Sequence, residues 1–214
     1  METLVIHGSP GSPYVRAAVA VMVEKRLPWR LALMTDVALL REPAHLARHP
    51  FGRMPALEHG DFVLHETQAI LRYADAIGEP PPLTPAEPRA AARMNQVLGI
   101  VDAYLFEGAT KPIGFNRLVA PRIGAPVDEQ AVAKALPAAR HCLVVLESML
   151  IGDYLAGGMF TLADLLAACH LAMLARTPEG RDLLAERPRL ADWLARVEAR
   201  PSLQATVPSR LMAA

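Results

Sequence analysis

The sequence carries no excess charge of either sign and few aromatic residues. Its 22 Lys and Arg side chains balance 22 Asp and Glu side chains, and Phe, Trp and Tyr together make up 5% of the chain. Binding to a nucleic acid or to an anionic membrane surface needs a basic patch, and RNA recognition also uses aromatic rings that stack on bases. We therefore expect neither a nucleic acid nor a membrane as a partner.

Cysteine and long apolar runs are also scarce. Cys142 and Cys169 lie in apolar stretches and cannot build a disulfide framework. The longest apolar run, Leu165–Ala175, is interrupted by His170 and is shorter than the ~20 residues of a membrane-spanning helix. The amino terminus shows no signal-peptide pattern. Because 214 residues at 52% hydrophobic content can bury a core, we expect a folded, cytoplasmic protein.

The first third of the chain alternates strand and helix patterns. Residues 4–34 have the pattern of a strand, a helix and a strand, and residues 56–77 that of a hairpin across His59-Gly60-Asp61 followed by a helix. This order predicts a small α/β domain with a four-stranded mixed sheet over residues 1–78. The prolines of residues 79–87 exclude a helix or a central strand, so we interpret this segment as a linker.

Residues 88–214 show helical patterns throughout, which predicts an all-helical second domain. Thr161-Leu162-Ala163-Asp164 is a capping box with Asp in place of Glu, and it fixes where one helix begins. The stretch Thr110–Pro126 holds three prolines and two glycines, so we interpret it as a loop. The predicted helices span Pro88–Glu107, Asp128–Leu150, Thr161–Ala175, Pro178–Glu186 and Pro188–Arg200.

The loop Gly8-Ser9-Pro10-Gly11-Ser12-Pro13 leads from the first predicted strand into the first predicted helix. Ser12 suits the N-cap and Pro13 the first helical position, and capping alone would explain both residues. Because a helix N-terminus also favours anions, the Ser12 hydroxyl could instead hydrogen-bond a bound thiolate or phosphate. The loop lacks the Gly-Lys-Ser/Thr of a Walker motif, and the chain has no G-x-G-x-x-G dinucleotide motif.

Two further segments lie at the ends of predicted strands. In Arg53-Met54-Pro55-Ala56-Leu57, a proline just before a strand suggests a cis Met54–Pro55 bond that presents the Met54 backbone as an extended edge. Glu66-Thr67 stands at the start of a predicted helix, where dipole compensation and capping are the simplest explanation.

These three signals, in this order and at this spacing, resemble the cytosolic glutathione transferase family in its serine-type, bacterial-like form. The resemblance implies a thioredoxin-like N-terminal domain, an all-helical C-terminal domain, a cytoplasmic homodimer and a role in detoxification. The matching residues are Ser12-Pro13-Tyr14-Val15-Arg16, Pro50-x-Gly52-Arg53-Met54-Pro55-Ala56-Leu57, Glu66-Thr67-x-Ala69-Ile70-x-x-Tyr73 and, in the second half, Thr161-x-x-Asp164.

The resemblance also implies roles for single residues. Ser12 matches the serine that stabilises the thiolate of glutathione, and Ser9 is the alternative because some classes place the active hydroxyl earlier in this loop. Ser12-Pro13-Tyr14-Val15 also resembles a glutaredoxin Cys-Pro-Tyr-Cys motif without its cysteines, which argues against thiol–disulfide exchange. Glutathione is the implied co-substrate, bound by Arg53 (glycine carboxylate), Met54 (backbone, with Pro55 cis), Glu66 (γ-glutamyl ammonium) and Thr67 (γ-glutamyl carboxylate).

The implied second substrate is a small hydrophobic electrophile. We expect its pocket between the two domains, with Tyr104, Phe106 and Phe115 as candidate walls. The histidines lack a spacing such as H-E-x-x-H, so no metal is expected. His49 stands where many members of the family have Asn, a departure that we do not expect to remove binding. The alternatives on the same fold are a glutathione-dependent isomerase or dehalogenase and a non-catalytic interaction protein.

Overall fold

A mixed sheet of four strands organises the first part of the chain in the computed structural model, which describes residues 2–212. The strands are β1 (Leu4–Gly8), β2 (Trp29–Leu33), β3 (Ala56–His59) and β4 (Phe62–His65), in the spatial order β2-β1-β3-β4. β1 pairs parallel with β2 and antiparallel with β3, and β3 pairs antiparallel with β4. The predicted four-stranded mixed sheet is thereby confirmed.

The helices around the strands are α1 (Pro13–Glu24), α2 (Pro43–Leu46) and α3 (Thr67–Ile77), and a 3₁₀ turn (Val37–Arg41) precedes α2. α1 begins at Pro13 because Ser12 caps it and proline already has the backbone φ of a first helical residue. α1 packs against α3 and against the first two strands, which buries most of its residues completely.

The strand register brings the end of β1, the start of β3 and the end of β4 to one edge of the sheet. His7, near the end of β1, pairs with Ala56 at the start of β3, and Ala56 pairs with His65 at the end of β4. The loop after β1, the segment before β3 and the turn after β4 therefore leave the sheet side by side. β3 and β4 join at the opposite end through Gly60 and Asp61, where Gly60 has a φ of +63° that glycine adopts without steric cost.

A second compact unit, Pro85–Ala199, is built from helices. They are α4 (Pro88–Ile100), a π-helical segment (Val101–Val119), a 3₁₀ turn (Ala120–Ile123), α5 (Glu129–Ser148), α6 (Leu162–Leu174), α7 (Pro178–Ala185) and α8 (Pro188–Glu198). α6 is buried along nearly its whole length and begins at the capping box of Thr161 and Asp164. Within residues 2–212, none of the helices combines the length and hydropathy that crossing a membrane requires.

The prediction of a loop over Thr110–Pro126 was wrong, because most of this stretch is helical. Ile113 and Gly114 are buried, and the segment packs against α5 and α6. Pro112 lies inside the helix, and the Asn116 side chain donates a hydrogen bond to its carbonyl at 2.7 Å. Burial of one face and this side-chain hydrogen bond keep the segment helical despite its proline and glycine content.

Residues 200–212 pack with the first unit, which otherwise ends at Thr84. The helical pattern of the sequence predicts these residues as part of the helical domain. Their helices are α9 (Pro201–Ala205) and α10 (Pro208–Leu211). The buried Arg16 side chain in α1 donates to the Leu203 carbonyl of α9 at 3.0 Å, a contact between distant parts of the sequence.

Asp75, near the end of α3, holds the proline-rich connection against the first unit. Its carboxylate accepts the backbone N–H of Leu83 at 2.8 Å and of Thr84 at 2.9 Å, and it pairs with the buried Lys25 ammonium at 3.1 Å. Burial raises the pKa of Asp75, but these donors outweigh burial and hold the pKa below its ordinary value.

Candidate functional site

Ser12 lies at the N-terminus of α1, half-buried. Its Oγ accepts the backbone N–H of Val15 at 3.4 Å, which is long for a hydrogen bond of this type. An oxygen that accepts in the cap still carries a hydroxyl proton, so Ser12 can donate to an anion at the helix N-terminus. Capping and anion binding are therefore compatible at this residue. Tyr14, in the first turn of α1, is also half-buried.

Ser9 lies earlier in the same loop and contacts Met54. The backbone N–H of Ser9 donates to the Met54 sulfur at 3.3 Å, and the Ser9 carbonyl accepts the N–H of Ser12 at 3.0 Å. Met54 is half-buried and its peptide bond to the buried Pro55 is cis. The loop after β1 and the segment before β3, although 45 residues apart, are thus in direct contact.

Arg53 is exposed, and its backbone is fixed by a buried histidine. The Nε2–H of His45 donates to the Arg53 carbonyl at 2.7 Å. Within residues 2–212, the Arg53 guanidinium has neither a hydrogen bond nor an ion pair. The guanidinium of Arg41 lies beside Gly52, where an added Cβ would come within 2.8 Å of its Nη1 atom. Two arginines therefore lie at this segment, Arg53 within it and Arg41 beside it. Arg41 was not predicted from the sequence.

Glu66 and Thr67 form the turn between β4 and α3. Glu66 is exposed and has a φ of +69°, and its carbonyl accepts the backbone N–H of Ile70 at 3.0 Å. A non-glycine residue in this region costs about 1–3 kcal/mol. Within residues 2–212, the Glu66 carboxylate makes no hydrogen bond or ion pair. Thr67 is the first residue of α3 and is buried.

The candidate site thus combines three segments that the sheet register brings to one edge. They carry the Ser12 hydroxyl, the Met54 backbone and the Glu66–Thr67 turn. Together they offer a donor at a helix N-terminus, an extended backbone, a carboxylate and arginine cations. Such a set suits a small ligand with a sulfur, an ammonium group and carboxylates.

A hydrogen-bonded group that the sequence did not reveal lies on the neighbouring strands. Glu58 in β3 accepts from Arg48 Nε at 2.6 Å and from His7 Nε2 at 2.8 Å. Burial lowers the pKa of His7, and although burial raises the pKa of Glu58, its two hydrogen bonds hold that pKa below its ordinary value. The group ties β1, β3 and the segment after α2 together. Its members are too far apart in sequence for a local pattern to show them.

The three aromatic residues predicted to line an electrophile pocket lie on the π-helical segment. Tyr104 is 66% exposed and Phe115 is 42% exposed. Phe106 is half-buried, and its ring meets that of His170 edge to face at a centroid distance of 6.0 Å. None of the three is therefore a fully buried core residue, which leaves their rings accessible to a ligand.

Cys142, Cys169 and His170 of the helical unit are buried. Burial raises the pKa of the Cys142 thiol to about 11 and lowers the pKa of His170 to about 3, so both are neutral at physiological pH. Among residues 2–212, no three His, Cys, Asp or Glu side chains are grouped so as to hold a metal ion.

Comparisons with known proteins agree with this geometry. Residues 6–82 match the family model described as glutathione S-transferase, N-terminal domain, and residues 110–201 match that described as glutathione S-transferase, C-terminal domain. Glutathione S-transferase 3 of Zea mays is 35% identical over 211 residues, which cover 97% of this chain and 94% of the relative. Probable glutathione S-transferase GSTF2 of Oryza sativa subsp. japonica is 33% identical, with 95% of each chain covered.

Solved structures show the same similarity. Glutathione S-transferase III in its apo form superposes with a TM-score of 0.85 at 35% identity, covering 96% of this chain and 95% of that one. Glutathione S-transferase I from maize, in complex with an atrazine glutathione conjugate, gives a TM-score of 0.86 at 26% identity, with 99% of both chains covered. The chain therefore belongs to the glutathione S-transferase family.

Proposed function

We propose that this protein is a glutathione transferase in which Ser12 stabilises the thiolate of glutathione for attack on a small hydrophobic electrophile. The observation that carries the proposal is the convergence of three segments at one sheet edge: the Ser12 loop, the Met54–Pro55 segment and the Glu66–Thr67 turn. Family membership supports the reaction class, and the side chains at this edge support the roles below.

Ser12 acts as a hydrogen-bond donor and not as a base, because a serine hydroxyl cannot remove a thiol proton at neutral pH. A free thiol has a pKa near ~8.5, and each unit by which the pKa falls corresponds to about 1.4 kcal/mol. A hydrogen bond to a charged sulfur supplies about 1.5–3 kcal/mol, enough to lower the thiol pKa by one to two units. The positive end of α1 adds to this stabilisation.

The remaining groups of glutathione each find a matching side chain or backbone group. The Glu66 carboxylate, which has no hydrogen bond or ion pair within residues 2–212, is available to the γ-glutamyl ammonium, and Thr67 to the adjacent carboxylate. The Met54 backbone pairs with the cysteinyl residue. Arg53, which is exposed, receives the glycine carboxylate, and Arg41 beside Gly52 is a second cation for it.

Ser12 is favoured over Ser9 as the thiolate partner. Ser12 is the N-cap of α1, where the helix dipole acts, whereas Ser9 lies three residues before it. The backbone N–H of Ser9 donates to the Met54 sulfur, so Ser9 contacts the segment before β3 and does not cap α1. These contacts support a serine-type enzyme. The relatives named above are plant proteins, which favours a plant-like over a bacterial-like placement within the family.

A hydrophobic electrophile is the second substrate of this proposal. Relatives were solved with an atrazine glutathione conjugate and with lactoylglutathione, so glutathione carrying an organic substituent fits those enzymes. In this chain we assign the substituent to Tyr104, Phe106 and Phe115, because their rings are at least partly accessible. An apolar wall of this kind selects the electrophile by shape and apolar area.

The domain boundaries, assembly and location are further parts of the proposal. Residues 1–78 form the glutathione-binding domain, residues 79–87 the linker and residues 88–214 the helical domain, with the tail from Arg200 returning to the first unit. We infer a homodimer, as the family resemblance implies. A cytoplasmic location is supported by Cys142 and Cys169, which are buried and, within residues 2–212, not joined in a disulfide, as suits a reducing compartment.

The experiment that tests this function measures thiolate formation directly. Ultraviolet difference spectra of bound glutathione between pH 5 and 9 give the pKa of its thiol, and conjugation to a generic aromatic electrophile gives turnover. We expect Ser12→Ala to raise the bound thiol pKa and to lower turnover about 10–100-fold, with glutathione affinity nearly unchanged. Ser9→Ala is the matched control and should retain turnover.

Three outcomes would contradict the proposal. Full activity of Ser12→Ala together with an inactive Ser9→Ala would transfer the role to Ser9. Binding of glutathione without turnover across a panel of electrophiles would favour a non-catalytic interaction protein. Turnover confined to isomerisation or dehalogenation substrates would indicate one of those reactions with the same thiolate.

A further inference from the structure

Three histidine rings and one phenylalanine ring lie together beside the proposed glutathione site. The ring centroid of His49 is 4.9 Å from that of His65 and 6.3 Å from that of His45. The Phe51 ring lies 6.3 Å from both His49 and His65. We call His45, His49 and His65 the histidine cluster. It was not recognised from the sequence, where its members lie up to 20 residues apart.

The histidine cluster joins the two chain segments that carry the glutathione-binding residues. His45 donates to the Arg53 carbonyl at 2.7 Å, and the His49 carbonyl accepts the N–H of Gly52 at 2.8 Å, so both rings belong to the segment that leads into Arg53. His65 belongs to the other segment, because it ends β4 directly before Glu66. The contact between the rings of His49 and His65 is therefore a contact between these two segments.

His49 occupies a place that suits only a neutral ring. The residue is 3% exposed, and within residues 2–212 its Nδ1 atom is buried without a hydrogen-bond partner. A protonated imidazole donates from both nitrogens and would leave one N–H unsatisfied here, which is costly in a buried position. Neutral imidazole, with one nitrogen unprotonated, avoids a second buried donor.

The charges around His49 also disfavour a proton on it. Burial is the largest cause that lowers its pKa, and His65, His45 and Arg53 lower it further. The Glu66 carboxylate acts in the opposite direction and raises the pKa of His49. Glu58 accepts hydrogen bonds from both His7 and Arg48, so these three groups are paired with one another. Their electrostatic interaction with the histidine cluster runs through His45, which acts on His7.

We propose that His49 is a positioning residue for glutathione: its neutral ring holds the segment of Arg53 and Met54 against the turn of Glu66 and Thr67. When the ring is protonated, the two segments separate and glutathione binds more weakly. This inference rests on the proposed function, since it concerns the same site.

The direction of the pH effect follows from linkage. In the closed arrangement His49 has a lowered pKa, whereas in an open arrangement its ring is solvated and titrates near the ordinary ~6.5. Protons are therefore bound preferentially by the open form, and closure is lost as the pH falls below about 6.5. One pH unit below that value, binding can weaken by at most about tenfold.

The experiment measures the affinity for S-hexylglutathione by calorimetry at pH 7.5, 6.5 and 5.5. This thioether has no thiol, so ionisation of the sulfur cannot contribute. We expect Kd to rise about 3–10-fold from pH 7.5 to pH 5.5 in the wild type. His49→Asn lacks the ring that contacts His65 and should bind more weakly than the wild type at pH 7.5, and because its amide does not titrate in this range its profile should be flat. His141→Asn, at an exposed histidine in α5, is the matched control and should keep the wild-type profile.

The possible results separate this inference from the proposed function. No binding of S-hexylglutathione at pH 7.5 would refute the proposed function, and this inference with it. Binding at pH 7.5 with a flat wild-type profile, or a full pH dependence in His49→Asn, would overturn the role of His49 alone. If His49→Asn fails to fold, an NMR titration of the wild-type ring decides: its midpoint must fall when S-hexylglutathione binds, and an unchanged midpoint overturns the proposal.

Discussion

The starts of α6 and α3 both carry an acidic residue, yet the two carboxylates have opposite surroundings. Asp164 in α6 is fully buried and accepts hydrogen bonds from Leu155 N–H at 2.8 Å, Thr161 N–H at 3.0 Å, Thr161 Oγ1–H at 2.9 Å and Trp193 Nε1–H at 3.0 Å. Glu66 before α3 is exposed and has a positive φ, and within residues 2–212 its carboxylate has no hydrogen bond or ion pair.

The difference separates a residue that holds the fold from one that is available to a ligand. Burial raises the pKa of Asp164, although its four hydrogen-bond donors act in the opposite direction. The role of this carboxylate is to accept these hydrogen bonds and hold the surrounding chain in place. Within residues 2–212, the Glu66 side chain makes no hydrogen bond or ion pair that would compensate for its backbone strain, and such strain is concentrated at functional sites. Acidic residues at two helix starts can therefore serve stability in one case and binding in the other.

The largest effect is expected at Asp164. Asp164→Ala leaves the N–H groups of Leu155, Thr161 and Trp193 without their acceptor in a buried place. Loss of such a network should lower the free energy of unfolding by about 3–5 kcal/mol. Urea unfolding followed by circular dichroism measures the change. Asp192→Ala, at an exposed position in α8, is the control and should change stability by less than about 0.5 kcal/mol. Equal loss in both variants would contradict the structural role of Asp164.

A smaller effect of a different kind is expected at Glu66. Glu66→Ala removes the proposed partner of the γ-glutamyl ammonium, so KM for glutathione should rise about tenfold while kcat changes little. Steady-state kinetics at saturating electrophile measure both constants. Asp61→Ala, at the exposed turn on the opposite end of the β3–β4 hairpin, is the control and should leave KM unchanged. A fall in kcat at constant KM would place Glu66 in the chemical step and not in binding.

The same two helix starts show how much the sequence predicts. The capping box at Thr161 and Asp164 is a local pattern, and it correctly placed the start of α6. Strand and helix periodicity likewise predicted the mixed sheet and the hairpin of β3 and β4. The positive φ of Glu66 has no local signature, because glycine is the usual residue in that conformation.

Features that depend on distant contacts were not predictable from local patterns. The helical course of residues 110–123 depends on burial against α5 and α6, which a count of prolines and glycines does not contain. The return of the chain end to the first unit depends on the contact of Arg16 with Leu203, 187 residues away. The residue types at the candidate site could be recognised from motifs, but the ring contacts of the histidine cluster could not.

The smallest effect concerns the backbone of Glu66 itself. Its φ of +69° costs about 1–3 kcal/mol for a residue with a Cβ, and glycine relieves this strain at an entropic cost of about 0.5–1 kcal/mol. Glu66→Gly should therefore be about 1 kcal/mol more stable than Glu66→Ala in urea unfolding, although both lose the carboxylate and bind glutathione equally weakly. At Asp164, inside α6, the order should be reversed, because glycine is about 1 kcal/mol worse than alanine in a helix. The same order of stability at both positions would show that the strain at Glu66 is not what distinguishes the two helix starts.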